Sequence, residues 1–287
     1  MKVLVLIGGK VFSGAEITTL RFVSAFPPEW TARVCVDPGN LEKARAIVPN
    51  CRAWANESAP GDTLLRATHF ISEPEQANFY CRPAREALAD IIVDWRPDVV
   101  LGCMYPVAML ALPVVEKVRV PLAVHHQLMY NDLPRHPISK PVSRVTRYAR
   151  CIIAASRAVA RPVFRMGAMN VRVLHAELPA SYGHSRRGGA VRQVLAVGTW
   201  GPVKGLDDLI RAADLMHKAG WKFVLNVVGP LGAYGREYEE SVQKLAEVGL
   251  REGYVLFHGA AEDPGEHYAA ADVLVVPSCE PDPFPTV

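Results

Sequence analysis

QVLAVGTWGPVKGLDDLI, residues 193–210, contains a strand, a loop and a helix start in one uninterrupted run. Its first part is apolar and β-branched, as is typical of a buried strand, and a glycine-rich loop follows. The last part begins a segment with apolar residues at helical spacing. The stretch therefore predicts one β-α unit of an α/β domain.

The same alternation continues on both sides of this stretch. Further strand candidates lie on its C-terminal side at 222–229, 254–259 and 272–278. Those on its N-terminal side are 3–7, 32–36, 98–103, 121–126, 151–155 and 171–174. Continuously apolar strands that alternate with helices favour a parallel sheet covered on both faces. Each half of the chain thus predicts a doubly wound, Rossmann-like α/β domain.

A break in the alternation predicts the domain boundary. Residues 177–193 are polar and rich in glycine and serine, and they show no apolar period. We predict a first domain over residues 1–178, a linker over 179–191 and a second, smaller domain over 192–287. Doubly wound sheets bind ligands at the carboxyl ends of their strands, so two such domains would face each other across a cleft.

Composition excludes several classes of protein. The 287 residues include 32 Lys and Arg and 29 Asp and Glu, a balance that predicts no nucleic-acid partner. The six cysteines form no CxxC pair, so we expect free thiols in the cytoplasm and neither disulfides nor a metal site. The longest uncharged run, 99–115, is too short for a spanning helix and contains two prolines.

Two glycine-rich loops are candidate anion sites. GGKVFSGAE, residues 8–16, leads into a helix whose N-terminal N–H groups suit a phosphate. Its spacing differs from GxGxxG and so argues against NAD, and a tight turn without a ligand is the alternative. In the second loop Lys204 stands just before a helix, where it could neutralise a diphosphate. An ordinary surface lysine is the alternative there.

Seven segments in the expected order resemble one family. They are GGxxxxGAE (8–16), AVHHQ (123–127), IIAAS (152–156), AVGxxxxxKGLDDLI (196–210), VVG (227–229), VLFHG (255–259) and YAAADVLVVPS (268–278). With them the chain resembles the retaining glycosyltransferases of family 4, the group 1 glycosyltransferases, over essentially its whole length. The resemblance implies the GT-B fold, in which two Rossmann-like domains face a cleft.

The resemblance also implies an activity. A sugar would pass from a nucleotide-diphosphate sugar to an acceptor hydroxyl with retention at the anomeric carbon, as in a hexosyltransferase of cell-surface glycan synthesis. The acceptor would be a glycan, a lipid-linked molecule or a small molecule, and no cofactor or metal is expected. A nucleotide-sugar epimerase on the same scaffold and a non-catalytic binding module are the alternatives.

The resemblance gives individual residues their roles. Lys204 matches a lysine that contacts the diphosphate, and Gly14 matches a glycine of the N-terminal loop. His125 matches a histidine near the reacting sugar, where it could bind a hydroxyl or assist proton transfer. A histidine satisfied by the backbone is the alternative, and His126 would replace His125 if the register shifted by one.

Three further positions belong to the predicted donor site. They are Gly198, Thr199 and Gly229. Thr199 stands where the family usually has an arginine, so half of the usual cationic pair at the diphosphate is absent. This departure favours the binding-module alternative.

The acidic loop near residue 280 carries the last candidates. The family follows its final donor strand with a Glu, seven residues and a second Glu. Glu280 matches the first acid by side chain, whereas the Pro-Phe that follows Asp282 favours Asp282 by register. The second acid would fall beyond Val287, so we expect an incomplete second domain and poor sugar transfer by the chain as given.

Arginines in the first domain suggest an additional surface. Arg157, Arg161 and Arg165 are spaced to form one stripe on a helix, and Lys140 and the arginines at 144, 147 and 150 lie nearby in sequence. Such a stripe could meet anionic lipid headgroups or an acidic glycan, and a solvated helix face is the alternative. We therefore expect a cytoplasmic protein and consider a peripheral contact with the inner face of the membrane.

Overall fold

The chain divides into two compact units, residues 1–177 and residues 178–285. The computed structural model describes residues 1–8, 12, 14–53, 74–129, 139–176, 189–230, 235–261 and 263–282. Most of the predicted linker, and the Pro-Phe that follows Asp282, therefore lie outside the described residues. No described helix is long and apolar enough to cross a membrane.

The first unit is a seven-stranded parallel sheet with helices between its strands. The strands are β1 Lys2–Leu6, β2 Thr31–Val36, β3 Cys51–Ala53, β4 Val99–Cys103, β5 Leu122–His126, β6 Cys151–Ala154 and β7 Val171–Val173. The helices are α1 Gly14–Ser24, α2 Leu41–Arg45, α3 Pro74–Trp95, α4 Met104–Val118, α5 Ser139–Tyr148 and α6 Arg157–Arg165.

The strand order of this sheet is β3-β2-β1-β4-β5-β6-β7. The order reverses between β1 and β4, which makes this the topological switch point at which doubly wound sheets bind ligands. Both faces of β1 are buried: Leu4 and Leu6 pack in one core cluster, whereas Val3 and Val5 pack in another with Leu20 of α1. This two-sided burial explains why β1 is continuously apolar instead of alternating.

The second unit repeats the plan with four parallel strands in the order β10-β9-β8-β11. Its elements are β8 Gln193–Val197, α7 Leu206–Lys218, β9 Val224–Val228, α8 Arg236–Glu252, β10 Val255–Gly259, α9 Gly265–Ala270 and β11 Val273–Leu274. Ile210 of α7, Leu225 of β9 and Val242 of α8 are buried together in its core. The order reverses between β8 and β11. The predicted α/β class with Rossmann-like units is confirmed.

The last strand is shorter than predicted. The sequence predicted a strand over residues 272–278, but β11 spans only Val273–Leu274. One further bond runs from the N–H of Val275 to the carbonyl of Leu195, at 2.8 Å. Pro277 has no N–H to donate, so regular pairing cannot continue through it. The chain then leaves the sheet as a loop.

Candidate functional site

The predicted donor residues of the second unit gather at the carboxyl ends of β8 and β9. Gly198 donates its N–H to the carbonyl of Val228 at 2.9 Å, and Gly229 donates to the carbonyl of Gly259 at 2.7 Å. A Cβ at Gly229 would lie 1.7 Å from the carbonyl oxygen of Gly198. Only glycine permits so close an approach of the two strand ends.

A tight turn places Lys204 at the start of α7. Residues Pro202–Lys204 form one turn of 3-10 helix, and Gly205 follows in the left-handed region with φ +63°. No side chain caps this end of α7. The first N–H groups of the helix therefore keep the partial positive charge that a helix N-terminus carries, and Lys204 adds a full charge beside them.

The loop after β11 folds back onto this turn. The N–H of Cys279 donates to the carbonyl of Val203 at 3.0 Å. Asp282 lies three residues after Cys279 and accepts a hydrogen bond from Lys204 Nζ at 2.5 Å. The side chain of Lys204 is 41 % exposed and that of Asp282 is 14 % exposed. Glu280 is exposed. Of the two acids that the sequence left open, the structure thus brings Asp282 to Lys204.

A small cavity opens at the same strand ends. It measures about 30 Å³ and is lined by residues 196–200, Lys204, Leu206, Val227 and Pro277. Trp200 is 2 % exposed, and its indole Nε1 has no hydrogen-bond partner among the described residues. The volume suffices for a water molecule, which such a buried donor normally needs. No sequence pattern pointed to Trp200, although a large aromatic residue is unusual in a glycine-rich loop.

The predicted residues of the first unit lie around the N-terminus of α1. Gly14 is exposed at the first position of α1, whereas His125 is 2 % exposed at the end of β5. His125 Nδ1 lies 2.9 Å from the hydroxyl of Thr19, which itself donates to the carbonyl of Ala15 at 2.9 Å. The tautomer of the ring decides which of the two atoms donates this bond.

Gln127 completes this buried polar cluster. Its amide Nε2 donates to the carbonyl of Ala15 at 2.9 Å and to the Thr19 hydroxyl at 3.1 Å. The cluster therefore fixes β5 to the first turn of α1 through side chains. The described partner of His125 is thus the side chain of Thr19, whereas the alternative to a catalytic role expected a backbone partner. The catalytic role of His125 stays a prediction.

Burial lowers the pKa of both histidines, to about 4 for His125 and about 3 for His126. In the unfolded chain the two rings bind protons near pH 6.5, whereas in the folded protein they stay neutral to a lower pH. The free energy of unfolding is therefore highest above pH 6.5 and falls as the pH drops towards 4. We expect a loss on the order of 2–3 kcal/mol per ring across this window. Urea unfolding at pH 7 and pH 4.5 measures it. The His126→Phe variant, which keeps a ring against Tyr105, should lose less than the wild type over the same interval.

The described cysteines Cys35, Cys51, Cys103, Cys151 and Cys279 are free thiols. Burial raises the pKa of Cys103 to about 12, with a smaller contribution from Glu16. A thiol that stays protonated at neutral pH is a poor nucleophile. Across the described ranges, no three His, Cys, Asp or Glu side chains come together as a metal site requires.

Comparison with known proteins identifies similar sequences and folds. Residues 191–287 match the family model described as Glycosyl transferases group 1. No curated protein sequence matches the chain.

Three solved structures illustrate the similarity in fold. HepE of Anabaena with UDP and glucose is 18 % identical, with 99 % of this chain and 76 % of that chain covered and a TM-score of 0.73. Sucrose-phosphate synthase of Thermosynechococcus elongatus is 15 % identical, with 99 % and 77 % covered and a TM-score of 0.71. The lipopolysaccharide outer core galactosyltransferase WaaB is 16 % identical, with 99 % and 76 % covered and a TM-score of 0.64. The chain has the fold of these GT-B glycosyltransferases.

Proposed function

We propose that the chain is a group 1 glycosyltransferase that moves a sugar from a nucleotide-diphosphate sugar to an acceptor hydroxyl with retention. The observation that carries the proposal is the group 1 match of residues 191–287, the segment that contains Lys204 and Asp282. In the structure these two side chains meet at the carboxyl end of the sheet. That edge is where parallel α/β sheets bind ligands.

The geometry of the second unit suits a diphosphate. The uncapped N-terminus of α7 offers N–H donors, and Lys204 offers a full positive charge. Charge develops on the leaving diphosphate as the glycosidic bond breaks, so fixed donors aimed at it lower the barrier. Because HepE was solved with UDP, with UDP and glucose, and with UDP-glucose, we propose a UDP-hexose as the first donor to test.

On the acceptor side we propose that Gly14 and His125 contribute, as the resemblance implies. An imidazole with a pKa of about 4 is a weak base at pH 7, so we assign His125 hydrogen bonding in preference to proton transfer. The acceptor class we propose is a glycan, a lipid-linked molecule or a small molecule of cell-surface glycan synthesis. No cofactor takes part in the proposed reaction.

Nucleotide binding and donor turnover test the proposal. Calorimetric titration with UDP and GDP should show one site for at least one of them. A panel of nucleotide sugars should then release nucleotide diphosphate with a candidate acceptor, and proton NMR of the product should show the anomeric configuration of the donor. Binding of neither nucleotide would instead support the non-catalytic module, which Thr199 favours.

The epimerase alternative gives a different product. An epimerase would convert one nucleotide sugar into another without an acceptor, and its final product would still be a nucleotide sugar and not a free nucleotide diphosphate. Chromatography of the nucleotide-sugar pool after incubation without acceptor separates the two activities. Under the proposal, the pool contains only the nucleotide sugar that was added.

A further inference from the structure

Positive charge is concentrated in one segment of the first unit. Residues 139–176 hold eight of the chain's 32 Lys and Arg and none of its 29 Asp and Glu. The rest of the chain consequently carries 24 cationic and 29 acidic side chains. The net charge of the whole chain is therefore close to zero although this segment is strongly basic and the rest of the chain is acidic.

Helix α6 displays part of this charge on a single face. At 100° per residue, Arg157, Arg161 and Arg165 fall within an arc of about 80°. All three are exposed, and none forms an ion pair with another described residue. Val159 and Val163 lie on the opposite side of the helix and are buried. The arginine face is thus the solvent face of a strongly amphipathic helix.

Large apolar side chains accompany the arginines. Phe164 is 51 % exposed, and it lies about 20° from Arg157 around α6. Met169, just beyond the helix, is 88 % exposed. Basic residues beside exposed aromatic and aliphatic ones are typical of helices that lie in a membrane interface, where the apolar groups enter the acyl boundary and the cations meet headgroups.

The neighbouring helix extends the basic surface. Val142 and Val145 of α5 belong to the same buried cluster as Val159 of α6, so both helices cover the same face of the sheet. Arg144 is paired with Glu116, whereas Arg147 is exposed and makes no ion pair among the described residues. Lys140, Arg150 and Arg172 are likewise exposed and make no ion pair within the described ranges, so of the eight cations only Arg144 is paired.

We propose that the exposed face of α6, together with Phe164 and Met169, docks the protein on a membrane surface that contains anionic lipid. Each arginine near such a surface strengthens binding about five-fold, before screening by salt. The exposed apolar pair explains why a lipid surface suits this face better than a purely electrostatic partner such as a nucleic acid. The inference goes beyond the proposed sugar transfer and does not depend on it.

Vesicle sedimentation with the full chain tests the proposal. Vesicles of phosphatidylcholine with 30 % phosphatidylglycerol should retain the protein at 0.1 M NaCl, whereas pure phosphatidylcholine vesicles should not. The triple variant R157Q/R161Q/R165Q should bind the anionic vesicles at least ten-fold more weakly, and F164S/M169S should also bind more weakly. The matched control K218Q/K222Q/K244Q removes three exposed charges of the second unit and should bind like the wild type.

Several outcomes would overturn the proposal. Equal binding to neutral and anionic vesicles would do so, and so would an equal loss of binding in the lysine control. Arginine-dependent binding to a DNA duplex without binding to anionic vesicles would identify a nucleic-acid surface instead. Circular dichroism melting shows whether each variant is folded. If the triple variant unfolds, single R161Q and R165Q substitutions should each weaken binding, and no effect in either would also count against the surface.

Discussion

Replacing Gly205 by alanine is expected to destabilise the second unit by about 2–5 kcal/mol and to lower its melting temperature by about 10 °C or more. Gly205 has φ +63°, where a side chain costs about 1–2 kcal/mol. Its Cβ would also lie 2.1 Å from the carbonyl oxygen of Pro277 and 2.8 Å from Cys279 Sγ. The first of these atoms is backbone and cannot move without displacing the loop that carries Asp282. Overpacking of this kind adds about 1–3 kcal/mol.

Gly253→Ala is the matched control for this prediction. Gly253 follows α8 with φ +77°, but a Cβ there meets nothing within 4 Å. The Gly253→Ala variant should therefore lose only the free energy that a side chain costs at positive φ, about 1–2 kcal/mol. Calorimetry gives the melting temperatures, and amide hydrogen exchange at β8 and β9 shows whether the second unit is the part that opens. Equal destabilisation by the two substitutions would mean that the contact with Pro277 contributes nothing.

The parts of the fold that the sequence predicted are those with a strong local signal. Apolar strands such as β1 and β4 are buried on both faces, so their residues are apolar in continuous runs. The three-residue β3 and the five-residue α2 were not predicted, because neither is long enough to show a period. The length of β11 was predicted wrongly since apolar character continues to Val276, one residue beyond Val275, which makes the last bond to β8.

The site was predictable only where its residues are close in sequence. The helix after Lys204 was predicted from a single run of residues, and the structure has it at Leu206–Lys218. By contrast, Thr19 and His125 are 106 positions apart, and no local pattern connects them. Glu280 and Asp282 are two positions apart in a loop that has no period, so their roles depend on how that loop folds back. The bond between the N–H of Cys279 and the carbonyl of Val203 fixes that path.

Substituting Lys204 by alanine is expected to weaken the binding of UDP, or of whichever nucleotide diphosphate the protein accepts, by about 50-fold. A charge-assisted hydrogen bond to a phosphate contributes on the order of 1.5–3 kcal/mol. The variant also leaves the Asp282 carboxylate near the proposed donor site without the cation that now neutralises it at 2.5 Å. Lys244→Ala, which removes an exposed lysine of α8, is the control and should bind the nucleotide as the wild type does.

Asp282→Asn, in contrast to Lys204→Ala, should not weaken the binding of UDP. The amide keeps the shape of the side chain but removes the negative charge that competes with a diphosphate for Lys204, so UDP should bind as tightly as in the wild type or more tightly. The lysine–carboxylate pair is partly exposed and itself stabilises the fold by at most about 1 kcal/mol, so unfolding should not obscure the result. If Asp282 also holds the donor sugar, this variant should bind UDP well and yet turn over a UDP-sugar more slowly. Parallel losses of UDP affinity in both variants would show that Lys204 and Asp282 act as one structural pair, and the assignment of Lys204 to the diphosphate would then be wrong.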